Sequence, residues 1–195
     1  MSLKKILEDF NLNPHTDKDT THCYVDQFYE KTFAEYQNKE ISFLEIGVSL
    51  GASFRLWKEY FVNAKTIVGI DNRPEVVLDE FRSIDGVTYY FEDAYSENII
   101  SKLSKYDIII DDGAHYVETQ LKALDLYLPL LKDGGIYVVE DIDGSTVNGR
   151  EKIEYSIVKQ KFIENLKEKE IKSYEWLDLR HVKNRPDDTL LVIKK

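Results

Sequence analysis

The 195-residue sequence predicts a doubly wound α/β fold with a mostly parallel, seven-stranded sheet. Three observations predict it. Short apolar runs of strand type alternate with helical patterns for most of the chain, and that alternation builds a parallel sheet covered by helices. Two runs, Ile108-Ile109-Ile110 and Ile136-Tyr137-Val138-Val139, show no polar alternation, as strands buried on both faces do. Both end at once in carboxylates, Asp111-Asp112 and Glu140-Asp141. In open α/β sheets, ligands bind outside the carboxyl ends of the strands.

The elements follow in order. Residues 2–11 read as a short helix, with Leu3, Ile6, Leu7 and Phe10 at helical spacing. Residues 11–21 are polar, hold Pro14 and read as a loop, and His22 and Tyr24, just beyond it, read either as part of a lid over a cofactor or as ordinary surface. A helical pattern resumes over 24–36 through Val25, Phe28, Tyr29 and Phe33. Residues 1–37 are therefore a helical N-terminal extension ahead of a core over 38–195, within one domain spanning 1–195. Strand 41–46 leads to helix 53–61, with Phe54, Trp57 and Phe61 on one face. Strand 66–70 leads to a short helix opened by Pro74, which suits a first helical turn. Strand 87–91 is followed by helix 96–103, and strand 106–111 by a helix reaching Leu131 along Val117, Leu121, Leu124 and Leu128. Asp133-Gly134-Gly135 supplies the turn into strand 136–140. A Gly-bearing loop over 143–149 precedes a charged helix over 151–169. The last strands, 174–179 and 189–193, have only the polar loop 181–188 between them and read as an antiparallel edge hairpin.

The formal net charge of -10 excludes a nucleic-acid backbone or an anionic membrane as the main partner, with Arg180, Lys183 and Arg185 as the one basic cluster. The lone Cys23 rules out an intramolecular disulfide and suits a reducing cytoplasm. There is no apolar stretch of about 18 residues, so no membrane span is expected. The charged N-terminus has no apolar signal region. A homo-oligomer is left open.

The first strand-to-helix turn is Leu44-Glu45-Ile46-Gly47-Val48-Ser49-Leu50-Gly51-Ala52-Ser53. Its glycines admit close backbone approach, yet Ser49 stands where a dinucleotide fingerprint needs its second glycine. Glu45 suits a cationic or hydroxyl-bearing ligand better than a pyrophosphate. Asp71 ends the second strand where a ribose-binding carboxylate belongs, and Asp93-Ala94 follows the third, where a carboxylate meets an adenine amino group. A nucleoside with a positively charged tail fits these positions, and S-adenosylmethionine is such a molecule. The cofactor-binding set is Glu45, Gly47, Ser49, Gly51, Ser53, Asp71, Asp93, Ala94 and Asp111. With strands 106–111 and 136–140 as parallel neighbours, Asp112, His115, Glu140 and Asp141 converge on one rim, a set suited to a hard divalent cation with a base beside it. Asp143 is a further candidate ligand. The bland alternatives are helix capping for Asp111 and Asp112, a neighbour bond for His115 and an acidic loop for Glu140-Asp141.

The residues 44–57, Val68-Gly-Ile-Asp71, Ile110-Asp-Asp-Gly-Ala-His115 and Gly134-Gly-Ile-Tyr-Val-Val-Glu-Asp141 together resemble class I S-adenosylmethionine-dependent methyltransferases, whose core is Rossmann-like, and especially the macrocin and mycinamicin sugar O-methyltransferases. Ala114 replaces the serine commoner in that box, and the macrolide enzymes are longer. The resemblance implies a divalent metal, usually Mg²⁺, on Asp112, Glu140 and Asp141, with His115 as general base. It implies a hydroxyl of a sugar or glycosylated small molecule as acceptor. A catechol would also suit a metal and a base. The alternatives are an NAD-dependent oxidoreductase of the same fold and a non-catalytic S-adenosylmethionine-binding module.

Overall fold

The computed structural model of the chain describes residues 1–146 and 151–195. Seven strands follow the order β3-β2-β1-β4-β5-β7-β6. Contacts divide the chain into two compact units, Met1–Asp93 and Ala94–Lys195.

The first unit holds β1 (Ser42–Ile46), β2 (Thr66–Ile70) and β3 (Val87–Tyr90), with β2 parallel to both neighbours. Its helices are α1 (Leu3–Asp9), the helical segment α2 over 25–36 and α3 (Ala52–Tyr60). The Ser2 hydroxyl caps α1 by accepting from the Lys5 N–H, and Leu3, Ile6 and Leu7 are buried. Phe10, expected on that apolar stripe, is exposed under the Arg55 guanidinium, 4.6 Å from its ring centroid. The helix ends at Asp9, two residues short of the expected 11, with Phe10 as its C-cap. α2 opens with a π turn over Val25–Tyr29 and packs aromatic residues onto α3. Trp57 is the centre of that contact, with ring centroids 5.3 Å from Tyr29, 5.8 Å from Phe33 and 5.4 Å from Phe43. Such pairs add to the area that each ring buries. The helix expected after Pro74 is a single tight turn, Pro74–Val76.

The second unit pairs β4 (Tyr106–Asp111) parallel with β5 (Leu131–Val139). β7 (Thr189–Lys194) runs antiparallel to both β5 and β6 (Tyr174–Asp178). The expected mostly parallel, seven-stranded sheet with an antiparallel edge pair is thus the fold the chain forms. α4 (Glu97–Ile100) is shorter than expected and is capped by Ser96. α5 (Val117–Tyr127) stops four residues before Leu131, because Pro129 has no N–H with which to continue it. β5 begins at Leu131, and residues 132–135 bulge between the Tyr106–Leu131 and Ile108–Ile136 pairs. Gly135 permits this, since a Cβ there would meet the Asp107 carbonyl at 2.8 Å. α6 (Tyr155–Glu168) buries Val158, Phe162 and Leu166 at four-residue spacing and leaves its charges outside. A short helix, α7 (Arg180–Lys183), interrupts the expected loop 181–188. The loop expected over 143–149 runs into 147–150, outside the described residues. Among the described residues, no helix is long and apolar enough to cross a membrane.

Candidate active site

In the first unit, the strand ends carry two buried carboxylates. Asp71 Oδ2 accepts from the backbone N–H groups of Val48 and Ser49, each at 3.0 Å. Its Oδ1 accepts from the Arg73 N–H at 2.8 Å and the Arg73 Nε at 3.3 Å. Burial pushes the Asp71 carboxyl up, but the bonds from Ser49, Val48 and Arg73 outweigh it and hold the group below the usual carboxylate range. The loop they fix is tightly wound, with φ of 92° at Gly47, 45° at Ser49 and 95° at Gly51. Gly51 opens α3, and a Cβ on it would lie 2.8 Å from Phe81 Cβ, so this glycine serves packing. Glu45 is fully buried; its Oε2 accepts from Ser53 Oγ at 2.9 Å and Trp57 Nε1 at 3.0 Å. Its Oε1 lies 3.1 Å from the buried Lys18 Nζ. The sequence carried no signal for Lys18, which sits in a stretch polar enough to read as a surface loop. His22 is buried there too, stacked on Tyr24 at 4.9 Å. Asp93 is exposed.

In the second unit, Ala94 is buried and its carbonyl accepts from Tyr127 OH at 2.6 Å. Asp111 is wholly buried, and its Oδ1 accepts from the Gly113 N–H at 3.3 Å. Burial pushes its carboxyl up to about 7, with Asp112 adding and His115 and the Gly113 N–H opposing. Its Oδ2 is buried with no hydrogen-bond partner among the described residues.

Asp112 and His115 follow β4, and Asp141 follows β5. His115 Nε2 lies 3.7 Å from Asp112 Oδ1 and 3.8 Å from Asp141 Oδ2. One donor atom from each of the three lies within 4.8 Å of the others. His115 and Asp141 both hold left-handed backbones, with φ of 57° and 54°, conformations that His and Asp tolerate better than most residues. Tyr95 OH accepts from the Ala114 N–H at 3.0 Å and steadies this turn. Gln120, buried on α5, donates to the Glu140 carbonyl at 2.8 Å and steadies the other. Glu140 is buried beside the cluster, outside its three donors. Asp143 accepts from Lys152 Nζ and the Ser145 N–H, both at 2.7 Å. The donor chemistry, two hard carboxylates and an imidazole at this spacing, fits a divalent cation.

Two residues of the C-terminal basic cluster, Arg180 and Arg185, are paired locally. Arg180 binds both oxygens of Asp178 and stacks on Tyr155, 3.7 Å from its ring centroid. Arg185 pairs with Asp187 at 2.6 Å.

A family model described as a methyltransferase domain matches residues 44–142, the stretch from β1 through both strand-end clusters. The chain is 34% identical over 126 residues to the mycinamicin VI 2''-O-methyltransferase of Micromonospora griseorubida, covering 58% of this chain and 30% of that protein. It is 31% identical over 137 residues to the 8-demethyl-8-alpha-L-rhamnosyl tetracenomycin-C 2'-O-methyltransferase of Streptomyces olivaceus, covering 67% and 36%. The matches thus span about a third of those relatives' length. Among solved structures, the MycE methyltransferase of mycinamycin biosynthesis, in complex with Mg, SAH and mycinamycin VI, superposes at a TM-score of 0.77 and 20% identity, covering all of this chain and 54% of that one. The SAH-bound Podospora anserina methyltransferase PaMTH1 superposes at 0.66 and 17% identity, covering 98% and 86%. At these identities the superpositions speak to the fold. The resemblance drawn from the motifs is borne out, the oxidoreductase alternative is not, and the chain belongs to the methyltransferase domain family.

Proposed function

We propose that the chain is an S-adenosylmethionine-dependent, divalent-metal-dependent O-methyltransferase acting on a hydroxyl of a sugar or glycosylated small molecule. The observation that carries this reading is the meeting of Asp112, His115 and Asp141 at the ends of two parallel strands, within the family-matched segment. The relatives support it: both are O-methyltransferases by name, and MycE was solved with Mg and SAH.

In this reading Asp112, Glu140 and Asp141 would hold the cation, and Mg²⁺ suits so oxygen-rich a set. When bound, S-adenosylmethionine supplies an electrophilic methyl group, and the cation acidifies and orients the acceptor hydroxyl. His115 takes the hydroxyl proton at Nε2, with carboxylate oxygens of Asp112 and Asp141 at 3.7 and 3.8 Å. The residues that serve the cofactor are Glu45, Gly47, Ser49, Gly51, Ser53, Asp71, Asp93, Ala94 and Asp111, of which Glu45 and Asp71 act on the loop that carries the first-turn members. Holding donor and acceptor in line supplies up to roughly 7–11 kcal/mol of the barrier. The chain works as one methyltransferase domain with residues 1–37 as its helical extension. It is placed in the cytoplasm, with a small molecule rather than a nucleic acid as partner.

Calorimetric titration with S-adenosylhomocysteine, with and without Mg²⁺, and transfer assays on sugar nucleotides, with and without chelator, test this reading. The parent binds S-adenosylhomocysteine; Asp112→Asn/Asp141→Asn keeps that binding and loses chelator-sensitive transfer. His115→Ala lowers turnover by about a hundred- to ten-thousand-fold with binding unchanged. No binding at millimolar ligand overturns the cofactor assignment, and full turnover in His115→Ala overturns the base.

A further inference from the structure

Lys18 is among the largest fully buried side chains of the protein, at 1% exposure, although its segment is polar. A buried ammonium is costly unless it is paired and hydrogen-bonded. One partner is Glu45 Oε1 at 3.1 Å, itself at 0% exposure. The other oxygen of the same carboxylate accepts from Ser53 Oγ at 2.9 Å and Trp57 Nε1 at 3.0 Å, both on α3. One carboxylate therefore ties together the end of β1, the first turns of α3 and the segment before α2. That segment is wound by its own backbone. The His22 N–H donates to the Asp17 carbonyl at 2.8 Å, and the Val25 N–H to the Lys18 carbonyl at 3.2 Å. Lys18 is thus delivered from a fixed turn rather than from a loose tail.

We propose that Lys18 is a positioning residue of the first-turn loop: its ammonium takes the place at the Glu45 carboxylate that the sequence assigns to a cationic ligand, and through Glu45 it sets the first turns of α3. This deepens the proposed function and rests on it only for ligand binding. Glu45 acts on the cofactor through the loop, not by touching the ligand's ammonium.

The test uses Lys18→Met, Glu45→Gln and the double variant, with two ligands: S-adenosylhomocysteine and 5′-methylthioadenosine, which lacks the amino-acid tail. Affinity is measured well below each unfolding midpoint. Lys18→Met leaves a buried carboxylate without its counter-charge. It is expected to melt earlier and to bind both ligands about tenfold or more weakly. The double variant is expected to regain most of the stability, because the two buried charges offset one another, and to lose affinity for both ligands by the same factor. Three results overturn the proposal. Lys18→Met folds and binds as the parent does; the double variant binds methylthioadenosine normally but S-adenosylhomocysteine about tenfold worse, which places Glu45 on the ligand's ammonium; or the double variant fails to fold. If Lys18→Met itself does not fold, a folded double variant that loses affinity for both ligands by the same factor sustains the proposal. If the parent binds neither ligand, the cofactor reading falls. The melting cycle still decides the pairing, through stability lost in Lys18→Met and restored, or not, in the double variant.

Discussion

Asp71 accepts four hydrogen bonds, two from the first-turn loop and two from Arg73, three of them from backbone N–H groups. Replacing it by Ala leaves those donors without a carboxylate, and each buried N–H so orphaned costs about 1–3 kcal/mol. The pH dependence has a definite sign. The folded carboxyl sits below its ordinary value, so its contribution is present above about pH 4 and is lost as pH falls through the folded value. Urea unfolding of the parent and Asp71→Ala at pH 7 and at progressively lower pH is expected to show a gap that narrows toward acid. A gap that stays constant would mean that the bonds do not depend on the charge. At this scale the sequence was a partial guide. That Asp71 matters was legible from its place at a strand end, but its partners were not, since Val48 and Ser49 are 23 and 22 residues away.

At the scale of elements, two glycines with similar backbones serve different ends. Gly51 and Gly134 have φ of 95° and 78°. A Cβ on Gly51 would meet Phe81 Cβ at 2.8 Å and Val77 Cγ1 at 3.1 Å, whereas one on Gly134 would meet nothing within 4 Å. Gly134→Ala should therefore cost about 1–2 kcal/mol, the strain of the left-handed region alone. Gly51→Ala adds overpacking of about 1–3 kcal/mol to that strain. Denaturant midpoints of the two variants measure the difference, and equal losses would show that Phe81 yields freely. Periodicity placed the strands correctly to within a residue or two, apart from the start of β5, because the apolar runs are short and the buried positions regular. It overran α5, where the stripe through Leu128 and Leu131 continues beyond the point at which Pro129 ends the hydrogen-bond ladder. It also missed the bulge in β5. A bulge depends on the register against a neighbouring strand, which no local pattern contains.

At the scale of the whole molecule, net charge sets an expectation about partners. The formal net charge is -10, and the basic residues Arg180 and Arg185 are paired with Asp178 and Asp187. Duplex DNA should show no mobility shift with the protein at about 10 µM and low salt, where non-specific electrostatic binding is strongest. A salt-sensitive shift would reveal a basic face that the ion pairs do not cancel. The order of strands and helices, the carboxylate-bearing strand ends and the family resemblance all follow from local features of the chain: hydrophobic period, turn residues and the chemistry at the end of each apolar run. Which charged groups meet was decided only by folding. Glu45 reads from the sequence as open to a cationic ligand, and the fold sets the buried Lys18 beside it; Glu140 and Asp141 read alike, and the fold puts Asp141 Oδ2 3.8 Å from His115 Nε2. The physical reason is common to both. A buried charge takes the partner that the packed chain brings within about 3–4 Å, and that partner comes from a segment whose distance in space the sequence does not state.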